Sequence, residues 1–311
     1  MAAMKRATHP FTWELMSWRD LSSQPIRADM DWKKCMEITR RTCNKRGTER
    51  RPVPKAVFWK STIHNAEAIL GKNTRDAVPS REVAPYGDYR SIVKIRATFP
   101  NGKTLGGSAV VIIGHTVLTA CHNIYNEEHG GPAQIITVIA GMDGTSGSPE
   151  VQHGKYAVAH YSWCANGAVK NDLGLVRLEK PFTTLEPKEY HQNLYSEKEK
   201  VYGYSGDIPV FAKGTQLYVS LSLATYHPLD TAGSVEHEAD TFNGNSGGPI
   251  LGEDGKVFAI HRGSGRNGSG KKINQAVAIN REGNDVADFV AVLDQIDTNG
   301  FDGKGEWFGT W

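Results

Sequence analysis

From about residue 88 onward the chain is a succession of short apolar runs rich in Val and Ile, separated by Gly, Asn, Asp and Pro. The runs at 91–99, 108–113, 134–140, 173–178, 216–222, 256–261 and 275–279 are of strand length and rich in β-branched residues. Such side chains are stiff at χ1 and suit a pleated, packed surface. Connections such as Asn101-Gly102 and Asp254-Gly255 carry turn-forming residues. Many short strands joined in this way predict an all-β barrel or sandwich.

One segment breaks the pattern. In 283–297, Val286, Phe289, Val290, Leu293 and Ile296 recur at helical spacing. They predict an amphipathic helix that packs its apolar face on the β structure. The 298–311 stretch after it is Gly-rich and aromatic. Asp297, Asn299 and Asp302 faintly resemble a calcium loop, but the spacing and the required glycine position fail, so it is read as a tail. Residues 1–68 have weak, mixed patterning with a helix expected near 31–43. They hold 14 Lys/Arg against 7 Asp/Glu, leaving 22 against 27 for the rest. The charges of this arm, including the pairs Arg40-Arg41, Lys45-Arg46 and Arg50-Arg51, are scattered among acids and carry no RNA-binding signature, so a solvated extension or pro-segment is expected and no nucleic-acid partner.

No stretch approaches the roughly 20 apolar residues of a membrane helix, and no membrane span is expected. The first residues lack the continuous apolar core of a secretory leader. The expectation is a protein that stays in its cell or leaves by a route the sequence does not reveal. Four cysteines, Cys35, Cys43, Cys121 and Cys164, are too few for a disulfide-built scaffold and fit no common zinc spacing. Cys121 and Cys164 are expected as buried thiols; no metal and no organic cofactor is called for.

The sharpest local signal is Asn243-Gly244-Asn245-Ser246-Gly247-Gly248-Pro249. A serine nucleophile needs an exposed hydroxyl and main-chain N–H groups aimed at the developing oxyanion, and flanking glycines permit both. The N–H groups of Gly244 and Ser246 are the candidate donors. Taken alone, the motif is also a plain Gly/Asn turn. A serine needs a base, and among eleven histidines His122 stands directly after a strand-like run. Asp172 immediately precedes the apolar 173–178 run. It could fix an imidazole tautomer, although an acid at a strand start is commonly just a turn former.

The order His122, Asp172, Ser246, with gaps of 50 and 74 residues, is that of chymotrypsin. The elements Thr119-Ala120-Cys121-His122-Asn123, Asn171-Asp172-Leu173-Gly174-Leu175 and Gly244-Asn245-Ser246-Gly247-Gly248-Pro249 resemble those of trypsin-like serine peptidases. The resemblance covers about residues 69–297. It implies two six-stranded antiparallel β-barrels of the chymotrypsin fold, at about 88–190 and 200–282, with a helix at about 284–296. It also implies a peptide substrate and a triad of His122, Asp172 and Ser246. Asn245 stands where trypsin-like enzymes carry the aspartate of their activation switch, so that switch is expected to be absent.

Within that superfamily, residues 257–263 and 274–280 resemble the glutamyl endopeptidases. The resemblance places His261 and Thr241 in the primary pocket, where they would bind a substrate carboxylate and prefer Glu, or Asp, on the acyl side. A bound carboxylate would favour the charged imidazolium of His261. Arg262 is expected to be exposed. Ala68 to Arg75 resembles that family's mature amino terminus, with the new end near Ile69 and cleavage after Glu67 conceivable. Two other readings stay open. Asp240, six residues before Ser246, could form an anionic pocket base favouring Lys or Arg. The scaffold could also bind with little turnover.

Overall fold

The computed structural model describes residues 11–17, 68–70, 72–144, 147–190, 198–207, 214–226, 234–281, 283–299 and 308–310. The helix expected near 31–43 lies outside the described residues.

Six strands form the first barrel: β1 (Ile92–Thr98), β2 (Thr104–Ile113), β3 (Thr116–Thr119), β4 (Ile135–Ala140), β5 (Glu150–His160) and β6 (Gly174–Leu178). All pairings are antiparallel, and the ring closes in the order β1-β2-β3-β6-β5-β4 and back to β1. The second barrel comprises β7 (Lys198–Gly203), β8 (Tyr218–Tyr226), β9 (Ser234–His237), β10 (Pro249–Leu251), β11 (Val257–Arg266) and β12 (Lys272–Ala278). It closes in the same relative order, β7-β8-β9-β12-β11-β10. One topology is thus used twice by two stretches that share no visible sequence repeat. This is the two-barrel architecture that the triad resemblance implied.

Alternation along the strands explains why several runs read as unbroken apolar stretches. Val93, Ile95 and Ala97 of β1, with Ala109 and Val111 of β2, fill the first barrel. Their neighbours Ile92, Val110 and Ile112 face the other way and meet Tyr202, Tyr204, Ile260 and Val277 of the second barrel. Strands buried on both faces need apolar residues at every position. The second barrel has its own small interior of Val201, Ala224, Val235, Ile250, Phe258, Ala259 and Ala276.

The predicted helix is observed as α1 (Val286–Asn299). Val286, Phe289, Leu293 and Ile296 are buried in the inter-barrel core. Arg177 of β6, 3% exposed, ties this helix to the first barrel. Its guanidinium donates to Thr116 Oγ1 at 2.7 Å, pairs with Asp294, and lies 3.1 Å from Asp297 Oδ2. The segment read as a tail contributes a short strand, Phe308–Thr310, paired with Phe11–Ser17, which in turn pairs with β5. The periods of both segments are too brief to declare strands by sequence, and sheet pairing decides them.

Replacing Arg177 with Met removes these bonds and leaves Thr116 Oγ1 buried without its donor. The expected loss is about 1–3 kcal/mol, read as a lower denaturant midpoint with an unchanged slope.

Candidate active site

His122 and Asp172 meet because β3 and β6 are antiparallel neighbours. The pairing sets Thr119, at the end of β3, opposite Gly174, at the start of β6. His122 follows in a 3-10 turn, Cys121–Asn123, and Asp172 precedes β6 at the end of another, Val169–Asn171. Asp172 is fully buried. One carboxylate oxygen accepts the main-chain N–H of His122 at 2.9 Å, and the other lies 2.8 Å from Nδ1. A carboxylate only accepts, so Nδ1 carries the proton and Nε2 is left as the basic nitrogen. The Trp163 ring lies 6.3 Å from the imidazole.

Ser246 sits across the seam on the second barrel, in the loop before β10. Two carbonyls of that loop are held by the first barrel. Ser246 O accepts from Ser108 N and from Asn123 Nδ2, both at 2.8 Å. Gly244 O accepts from Ser108 Oγ at 2.6 Å. Asn123, next to the histidine, is further fixed by its 3.0 Å bond to Thr119 Oγ1. The Ser246 hydroxyl donates to the carbonyl of Arg262 at 3.1 Å.

The glycines are required by space and by backbone angle. Gly244 and Gly247 have φ of +106° and +86°. A Cβ at Gly244 would lie 2.4 Å from Tyr204 O, and one at Gly247 would lie 2.1 Å from Ser108 O. The Asn243 carbonyl is tied back by Gly206 N–H at 2.7 Å. A trans peptide then sends the Gly244 N–H to the opposite side. Asn245, the residue standing in for an aspartate, accepts from Ser205 Oγ at 2.6 Å.

The two residues assigned to the pocket lie on this same barrel. His261, on β11, and Thr241 are both fully buried. Thr241 Oγ1 makes no hydrogen bond among the described residues. His261 Nδ1 lies 3.0 Å from Nε2 of His237, the last residue of β9. His237 was not legible in the sequence, where it is one histidine of eleven at the end of an unremarkable stretch. Burial holds His261 well below the usual histidine range, with His237, Arg262 and His122 adding to the effect. Burial alone takes His237 down to about 3.

One expectation is corrected, and one open alternative meets an occupied carboxylate. Arg262 is 4% exposed rather than on the surface. The β11–β12 register shifts between His261 and Gly263, and an irregularity of this kind turns a side chain inward. Asp240 does not offer its carboxylate to a substrate cation. One oxygen accepts Leu70 N–H at 2.7 Å, and the other accepts the N–H and hydroxyl of Thr74, each at 2.8 Å. Asp240 is therefore the clasp for the 70–74 segment. Next to it, Asn274 holds Ala68 by both its N–H and its carbonyl, at 3.2 and 2.8 Å. Cys121 and Cys164 are buried and form no disulfide with each other, as expected. Among the described residues no group of three His, Cys, Asp or Glu side chains could hold a metal.

A family model for the trypsin-like peptidase domain matches residues 107–260. The glutamyl endopeptidase of Bacillus licheniformis is 28% identical over 196 residues, covering 60% of this chain and 56% of its own. A Bacillus subtilis protein named extracellular metalloprotease is 28% identical over 112 residues, covering 36% of this chain and 34% of its own. The chain thus spans between a third and a little over half the length of these relatives. A solved Glu endopeptidase, in complex with MPD, superposes with a TM-score of 0.59 at 20% identity, covering 74% of this chain and all of that one. At that identity the likeness establishes the fold.

Acid should weaken the protein through the two buried histidines that meet edge-to-face. Unfolded, each takes up a proton as pH falls below about 6.5, while His237 in the fold resists until about 3. Stability is therefore full above pH 6.5 and is lost progressively below it. Thermal melts from pH 7.5 to 4 are expected to show that decline, and His237→Leu should make it shallower.

Proposed function

From a chymotrypsin-fold chain that carries a trypsin-like peptidase domain, we propose that the protein is a serine endopeptidase. It cleaves peptide bonds through an acyl-enzyme on Ser246 and prefers Glu, then Asp, on the acyl side. The observation that carries the reading is the double engagement of Asp172 with His122. That arrangement leaves Nε2 as the free base, and Ser246 faces the first barrel across the seam from a glycine-rich loop in which Gly244 and Gly247 have positive φ.

The reaction runs as follows. The hydroxyl of Ser246 swings from the Arg262 carbonyl toward His122, because one proton cannot serve two acceptors at once. Its oxygen attacks the scissile carbonyl as Nε2 of His122 takes the proton. The oxyanion is received by the N–H groups of Gly244 and Ser246. The C–N bond breaks as His122 returns the proton to the leaving amine. Water then attacks the acyl-enzyme by the same route and releases the acid. Asp172 keeps the imidazole in its tautomer and stabilises the imidazolium.

Acid preference is supported by Thr241, whose buried hydroxyl has no partner among the described residues, and by His261 on the same barrel. A buried hydroxyl without a partner is costly, and a substrate carboxylate would satisfy it. The names of the Bacillus licheniformis relative and of the solved neighbour agree with this preference. A pocket for Lys or Arg built on Asp240 is disfavoured, since three donors already occupy that carboxylate. We further propose that the segment ahead of Ala68 is a regulatory extension cut off on activation after Glu67, the position that keeps the Ala68 peptide unit held by Asn274. Mass spectrometry of active protein checks this point: full activity with Met1 retained would exclude it.

A fluorophosphonate probe should label the protein, and Ser246→Ala should abolish labelling. Ser246→Ala and His122→Ala should each lower kcat by at least about 10⁴-fold, and Asp172→Asn by about 10³–10⁴-fold. Near-wild-type turnover in either alanine variant would refute the assignment, and absent labelling would support a binding scaffold. Matched peptides should be cut faster after Glu than after Lys; the reverse order would refute the acid pocket.

A further inference from the structure

Arg262 is a buried cation that the reaction as written does not use. Its side chain is 5% exposed. One guanidinium nitrogen donates to Gln275 Oε1 at 2.7 Å. Another lies 3.8 Å from Asp172 Oδ2, the same oxygen that receives Nδ1 of His122. A guanidinium stays charged in proteins even where burial opposes it. Burial lowers the pKa of Arg262, and the Asp172 carboxylate works against that lowering.

A carboxylate drawn out of water into the pocket needs a positive charge nearby. The two pocket histidines do not supply one at rest. Both are fully buried, and His237 holds down His261, as do Arg262 and His122. Among the side chains of this neighbourhood the fixed charge belongs to Arg262, the residue next to His261 in the chain. Two buried groups interact with little screening.

We propose that Arg262 is the specificity-determining cation of the pocket. The neutral N–H of His261 and the hydroxyl of Thr241 hydrogen-bond the substrate carboxylate, and Arg262 provides the positive field that makes its charge acceptable. Arg262 does this from behind the pocket, anchored by Gln275 and Asp172, without touching the substrate. The inference rests on the acid-pocket reading and adds the source of the charge. It separates recognition of shape, which Gln shares with Glu, from recognition of charge, which it does not.

The test is the ratio of kcat/KM for two peptides that differ only in Glu against Gln at the cleavage position, taken at pH 8. General damage to the triad lowers both values and leaves their ratio alone, whereas loss of the pocket's charge lowers the ratio. Wild type is expected to favour Glu. Arg262→Met should cut that preference by about tenfold, and Arg262→Lys should keep most of it. Gln275→Glu is the second variant, should Arg262→Met not fold: the new carboxylate neutralises the guanidinium in place and should also reduce the ratio. A wild type indifferent to Glu and Gln would overturn the acid pocket itself, and this inference with it. A wild type that favours Glu, with the preference intact in folded Arg262→Met or, failing that, in Gln275→Glu, would overturn the role of Arg262 alone.

Discussion

The molecule turns on the seam between its barrels, where two carbonyls of the serine loop are held by side chains from the opposite barrel. Ser108 and Asn123 reach across to Gly244 O and Ser246 O, and Ser108 gives its own N–H as well. Neither barrel can set the geometry alone. The histidine and aspartate are fixed by the β3–β6 pairing, the serine by the loop before β10. Bonds of about 2.8 Å between buried partners then lock the two halves into one register. Apolar contacts bring the barrels together without direction, and these hydrogen bonds supply the direction.

Asp172 is the second constraint. A carboxylate cut off from water costs far more than its neighbours return unless it is paired and hydrogen-bonded. Here it has a main-chain N–H, an imidazole N–H and a nearby guanidinium. The arrangement explains why Arg262 is turned inward at an irregularity in β11 rather than left in solvent. It also links Asp172 to His261, since Arg262, whose guanidinium lies 3.8 Å from the Asp172 carboxylate, follows His261 directly in the chain.

Much of this could be read from the sequence, because the decisive residues lie in short motifs with strong local demands. A serine among glycines, a histidine after an apolar run and an acid before another run are local signals, and their order along the chain joins them. Strands buried on both faces announced themselves as continuous runs. By contrast, β5 and β7 mix charged, polar and apolar residues along their length and gave no such signal. His237, Asn123 and Ser108 escaped notice because each acts across a distance of 24 residues or more in the chain. Arg262 was misread for the same reason: charge suggested solvent, and only tertiary contacts supply the partners it has instead. Asp240 stayed ambiguous in the sequence because its partners at Leu70 and Thr74 lie more than 160 residues away.

The anchoring of Ala68 has a consequence for where a minimal chain could begin. Asn274 holds its N–H and its carbonyl, and the same carbonyl accepts from Thr241 N–H at 3.1 Å. A truncation starting even a few residues later would leave the Asn274 amide and the Thr241 N–H without the carbonyl they both donate to. The peptide unit at Ala68 is therefore part of the second barrel's structure, although that barrel's first strand begins only at Lys198, 130 positions further on.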